Sequence, residues 1–231
     1  MREHSKSVSA SATVRVLAAL LSYPDAAMRA HLPEIRDILR RESALPDTRR
    51  SELDALIGSL AGAEQLEAEA GYVDLFDRGR GTSLHLFEHV HGDSRDRGPA
   101  MIDLAQTYEK AGLYLAPGEL PDYLPAVLEF VSTQPPREAA AFLGEMAHIF
   151  TAIFSSLRER ATPYASVLGA LLELAGEKAE AIKPVAEPTL DESWAEPPVF
   201  DGCSTQGQAR PGQPQPIRIV RRNNSAQGAS S

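Results

Sequence analysis

The stretch "SLHLFEHVHGDSRDRG", residues 83–98, carries the densest reactive chemistry in the chain: His85, His89 and His91 around Glu88, then Asp93, Arg95, Asp96 and Arg97. Three kinds of chemistry suit such residues. The first is metal catalysis. "HLFEH" (85–89) has the H-x-x-E-H spacing, in which two histidines four apart share a helix face and bind zinc while the glutamate activates the metal-bound water. His85, Glu88 and His89 would be the centre of such a zinc-dependent peptidase, and a third protein ligand is required, from Glu145 or His148. The second is phosphate binding by "GRGTS" (79–83), but no lysine precedes the Ser or Thr and no strand leads into it, which leaves a flexible interhelical loop. The third is a surface that grips another protein. An apolar strip of Leu84, Leu86 and Phe87 runs straight into alternating acids and arginines, whereas a mere connection would be polar throughout.

Helices must position these residues, because apolar spacing is helical almost everywhere. Phe142, Met146, Ile149, Phe150, Ile153, Phe154 and Leu157 fall on one stripe, which predicts a central helix over about 136–160 that starts at the prolines of "TQPPREA". Shorter stripes lie at Leu53, Leu56, Ile57 and Leu60, at Leu124, Val127, Leu128 and Val131, and at Tyr164, Val167, Leu168 and Leu171. "SYPD" (22–25), "ALPD" (44–47), "DRGRGTS" (77–83), "APGELPD" (116–122) and "RATP" (160–163) separate them as turns. No stretch alternates convincingly enough to be a strand. The expectation is an all-α, single-domain bundle of roughly eight to ten helices over residues 1–183. Residues 184–231 hold seven prolines, four glycines and only seven Val, Ile, Leu or Phe. That is too little apolar surface to offset an ordering cost of roughly 1–2 kcal/mol per residue, so a disordered Pro/Gly/Ser-rich tail is expected. Trp194 and "PIRIVRR" (216–222) are candidates for short recognition segments, set against the alternative of an inert, solvated tail.

Composition narrows the function classes. The chain has 231 residues, 43% of them hydrophobic, and a net charge of −9. Nucleic-acid binding needs clustered Lys and Arg to displace counterions, so it is disfavoured, and a basic partner suits an acidic chain. The single cysteine, Cys203, has no second cysteine to pair with inside the chain, which fits a reducing cytoplasm. No apolar run approaches the roughly 20 residues that span a bilayer, so no stable membrane insertion is expected. "VRVLAALL" (14–21) reads as mature structure rather than a signal peptide, since Glu3 precedes it and a turn and amphipathic helix follow.

The phrase "YVDLFDRGRGTSLHLFEHVHGDSRDRGPAMIDLAQTYEKAGL", followed by "ELPDYLPAVLEFV", resembles the NarJ subfamily of the TorD-like redox-enzyme maturation chaperones. "LFEHVHGDSRDRG" is the specific part; wider similarity runs over about residues 13–175, from "LLSYPD" to "TPYASVLGALLELA". The resemblance implies a cytoplasmic, all-helical chaperone with no reaction and no cofactor of its own, a monomer or a homodimer. Its partner would be the N-terminal segment of the catalytic subunit of nitrate reductase, held competent for insertion of molybdenum cofactor and iron-sulfur cluster before membrane attachment. Such a client, basic beside an amphipathic helix, needs an apolar groove with acids at its rim. The implied peptide-binding residues are Tyr72, Phe76, Leu84, Phe87, Glu88, His89, His91, Asp93, Arg95, Glu119, Asp122 and Tyr123. Asp122 matches the acid of an acidic-then-histidine pair found in the broader family, and Tyr123 stands where histidine is common. His89 and His91 lie within the subfamily pattern, whereas His85 is incidental to it. From the residues alone, Tyr72 and Phe76 serve equally well as core, Glu88, His89 and His91 as helix caps, and Asp122 as a helix N-cap. A generic helical adaptor that recruits through its tail is a further reading.

Overall fold

The structure is a computed structural model and describes residues 2–41, 44–92 and 94–182, with side chains from Ser11 onward. Asp93 and the expected tail, 184–231, lie outside the described residues. Eleven α-helices are present among them: α1 (Arg2–Leu21), α2 (Ala26–Ala30), α3 (Leu32–Arg41), α4 (Asp47–Gly62), α5 (Gln65–Phe76), α6 (Leu86–Val90), α7 (Arg97–Lys110), α8 (Leu124–Thr133), α9 (Pro136–Glu145), α10 (Ala147–Glu159) and α11 (Ala165–Leu174). A single 3₁₀ turn, Arg80–Thr82, joins α5 to α6. No named strand occurs among the described residues, and the all-α expectation holds.

The predicted stripes become the core. Leu53, Leu56, Ile57 and Leu60 of α4, Leu124, Val127, Leu128 and Val131 of α8, and Val167, Leu168 and Leu171 of α11 are all buried. α1 lies along α8, and α10 lies along α11. Every residue of α11 from Ala165 to Leu172 is buried, as befits a helix that is apolar all round. Gly169 makes room on α11 for the Arg49 guanidinium of α4, whose Cζ would lie 2.5 Å from a Cβ there. Arg49 is thereby seated against Glu173, at 3.0 Å.

Two expectations about the central helix are corrected. The span 136–160 is not one helix but two, α9 and α10, bent by 61° at Met146. Gly144, a weak helix former, sits just before the break, and the Met146 carbonyl accepts from Ile149 and Phe150 to start the new helix. The bend turns Leu143 of α9 into the core while Phe142 and Met146 stay half-buried at its margin. The helix at the centre of the bundle is α11, with α10 beside it. Among the described residues no single helix is long and apolar enough to cross a membrane.

The segment before α8 crosses back over the segment before α6. Leu86 N donates to Asp122 O at 3.0 Å and Leu124 N to Leu84 O at 2.8 Å, an antiparallel bridge centred on His85 and Tyr123. This single bridge brings "SLHLFEH" and "ELPDYLP" together.

Candidate functional site

Asp122 is the centre of the bridged region and is 0% exposed. Its Oδ2 accepts from Phe87 N at 3.2 Å, which satisfies one of the unpaired N–H groups in the first turn of α6. Its Oδ1 lies 3.3 Å from His85 Nδ1. A carboxylate only accepts, so Nδ1 carries the proton. Arg97, the first residue of α7, brings its guanidinium to 3.7 Å from Asp122 Oδ2 and 3.6 Å from Glu88 Oε1. Asp122 does cap a helix, but it is α6 from across the bridge rather than its own α8, which opens at Tyr123 without a side-chain cap.

Hydroxyls brace the same junction from below. Tyr72 of α5 donates to Leu21 O at 2.7 Å and lies 2.9 Å from the Tyr123 hydroxyl. Tyr108 of α7 donates to Pro121 O at 2.8 Å, next to Asp122. Burial pushes the Tyr72, Tyr108 and Tyr123 phenols above their ordinary range, so all three stay neutral donors. Tyr72 also stacks within an aromatic group of Tyr23, Phe76 and Tyr164 and lines an open cleft of about 570 Å³ between α4, α5 and the α10–α11 corner. Glu67 and Asp74 flank that cleft.

The twelve residues named from the resemblance therefore divide. Phe87, Glu88, His89 and His91 lie half-buried on or beside α6, with the Phe87 and His91 rings 5.3 Å apart, edge to face. Tyr123 is half-buried with them, and its ring is 5.5 Å from that of His85. Tyr72, Phe76 and Leu84 are buried and support the junction as core. Asp122, read as a rim acid, is enclosed; His85, Arg97 and Glu88 stand between it and solvent-facing surface. Arg95 is exposed. Glu119 is exposed and apart, where it accepts from Ala116 N in its own loop. Asp93 lies outside the described residues.

The zinc reading does not survive the local geometry. α6 starts at Leu86, so His85 precedes the helix in extended backbone and does not share a face with His89. His85 is committed to Asp122, and His89 Nε2 lies 2.9 Å from the carbonyl of Ser83. His148, on α10, turns to the carbonyl of Glu145 at the end of α9. Among the described residues no three His, Cys, Asp or Glu side chains are grouped to hold a metal.

Sequence reasoning weighed His85 only as a zinc ligand and left it, Arg97 and Tyr108 out of the peptide-binding residues. Arg97 had a signal in the sign alternation of "DSRDRG" and His85 in the H-x-x-E-H spacing, but their pairing with Asp122, like that of Tyr108 with Pro121, joins positions that no local pattern links. The hydrogen bond to Asp122 raises the His85 pKa above its ordinary value, assisted by the Asp122 and Glu88 charges and opposed by burial and by Arg97. A raised folded value means that His85 contributes stability below the unfolded pKa of about 6.5 and loses it as pH rises through the folded value. The difference in melting temperature between wild type and His85→Gln should be largest near pH 6 and fade toward pH 9. A difference that grows with pH would contradict this pairing.

A family model for the nitrate reductase delta subunit matches residues 24–168. The nitrate reductase molybdenum cofactor assembly chaperone NarJ of Escherichia coli strain K12 is 42% identical over 183 residues, covering 79% of this chain and 77% of that protein. NarW of the same strain is 40% identical over 163 residues, 71% of this chain and 68% of its own. Among solved structures, a redox enzyme maturation protein from Archaeoglobus fulgidus superposes with a TM-score of 0.53 at 19% identity, over 72% of this chain and 94% of that one, and so shares the fold.

Proposed function

The chain belongs to the nitrate reductase delta subunit family, and from that premise we propose that it is a dedicated chaperone for the assembly of a nitrate reductase in the cytoplasm. It catalyses no reaction, as its relatives are named for assembly and not for catalysis. Its client is the N-terminal segment of the catalytic subunit, which it holds competent for insertion of molybdenum cofactor and iron-sulfur cluster before membrane attachment. Binding is assigned to residues 1–183 and none of it to 184–231.

The observation that carries this reading is the meeting of α6 with the Asp122 segment. A half-buried aromatic, Phe87, stands beside a carboxylate pair, Glu88 and Asp122, over a braced hydroxyl layer. A basic amphipathic peptide needs that combination: apolar surface for most of the energy, and charge for orientation. Phe87, Glu88, His89, His91 and Tyr123 are the proposed contact residues, with Tyr72, Phe76 and Leu84 holding them in place, Asp122 behind them both as brace and as partner for a cation, Arg95 and Glu119 at the margin, and Asp93 a further candidate.

Calorimetric titration with a synthetic copy of the client segment tests it. Phe87→Ala should weaken binding by about 2 kcal/mol, some thirtyfold, with an unchanged melting temperature. Affinity should fall only modestly between low and high salt. Equal binding to wild type and Phe87→Ala would remove α6 from the recognition surface.

A further inference from the structure

Arg97 is the least settled member of the site. Its guanidinium sits between Glu88 and Asp122 at 3.6 and 3.7 Å, within ion-pair range of both and hydrogen-bonded to neither. It is also the first residue of α7, where its charge opposes the positive end of the helix dipole and the one acid at that end is the N-cap Asp96, which makes no side-chain cap. With 28% of its side chain exposed it faces solvent, while the carboxylate it covers is 0% exposed.

α7 itself is lightly held. Tyr108 is its only buried residue, and Leu104 adds a partly buried contact, while Ile102 is 59% exposed. Left-handed glycines flank it: Gly92 at φ +51° and Gly112 at φ +79°. Tyr108, bonded to Pro121, pins the C-terminal end of α7, and Arg97 is the ion-pair tether at its N-terminal end.

We propose that Arg97 stands in for the client's cation: in the free chaperone it occupies the Glu88–Asp122 carboxylate pair and latches α7 against α6, and a basic residue of the client displaces it and releases the N-terminal half of α7. This rests on the client reading above and names how that site is regulated. The exchange is charge-neutral, one cation for another, so no buried carboxylate is left unpaired at any stage. Release of the helix couples occupancy of the site to the accessible surface of α7, including Ile102 and Leu104. The free protein thus binds more weakly than an unlatched one, because its receptive state is only a fraction of the population.

Two peptides decide the matter, a copy of the client segment and the same peptide with its Lys and Arg changed to Gln, each titrated into wild type, Arg97→Gln and Arg97→Lys. Arg97→Gln should bind the basic peptide at least about fivefold more tightly than wild type, Arg97→Lys about as wild type does, and the Gln-substituted peptide should gain nothing from Arg97→Gln. Amide hydrogen exchange in residues 97–104 of wild type should speed up when the basic peptide is added, and should already be fast in free Arg97→Gln. Weaker binding by Arg97→Gln, or wild-type α7 exchange unmoved by bound peptide, overturns the latch while leaving the client reading in place. Failure of the basic peptide to bind all three proteins overturns both. Should Arg97→Gln not fold, exchange in wild-type α7 with the two peptides decides alone.

Discussion

Phe150→Ala is expected to lower the unfolding free energy by about 3–5 kcal/mol, the range for emptying a large aromatic site in a packed interior. Phe150 is 0% exposed on α10, and α10 lies along α11, buried from Ala165 to Leu172, so the surrounding helices have little freedom to collapse into the space. The same helix also abuts the 3₁₀ turn Arg80–Thr82 and α6, so loosening it loosens the support behind the proposed client site. Equilibrium urea unfolding measures the loss directly, as a lower midpoint at unchanged slope. A cost below about 1 kcal/mol would mean that the stripe of α10 does not face the core.

Asp122→Ala is expected to cost about 3 kcal/mol of stability, and Asp122→Asn about half of that. The alanine removes the cap from Phe87 N and leaves His85 and Arg97 facing one another without the charge that offsets them. Both side chains are roughly a third exposed, which moderates the penalty by solvent screening. The asparagine keeps an acceptor for Phe87 N and loses the charge together with the second acceptor, so that its amide NH2 faces His85 Nδ1. Reading Asp122 as a surface acid predicts an unaffected fold for Asp122→Asn; its burial replaces that expectation with a measurable loss. Denaturation of both variants at pH 6.5 checks the order, and the His85 ring proton shift should report a lower pKa in each. Variants within 0.5 kcal/mol of wild type, with His85 titrating unchanged, would show that the buried cluster does not hold the junction.

Helical periodicity made most of the fold legible. The stripes of α4, α8 and α11 are where spacing places them, because each buries one face or all of itself and the pattern is local. The break at Met146 was hidden for the opposite reason: Phe142, Met146 and Ile149 keep helical spacing straight through it, and only the turn of Leu143 into the core interrupts the axis. The site was legible as a list of residues and not as an arrangement. His85 and Asp122 are 37 positions apart and meet through a two-bond bridge that no local pattern encodes. The H-x-x-E-H spacing misled because a helical face requires a helix under both histidines, and α6 begins one residue too late. Arg97 looked like one more solvated charge until its distance to two carboxylates gave it a place.

The central claim, that this chain is the assembly partner of one nitrate reductase through the N-terminal segment of its catalytic subunit, is tested most directly by recovering the tagged chain from its native cells and identifying what comes with it. The account predicts the catalytic subunit of nitrate reductase, in its cofactor-free form, and predicts its loss when the N-terminal segment of that subunit is deleted. Recovery of unrelated clients alone, or of the catalytic subunit in undiminished amount after the deletion, would contradict it.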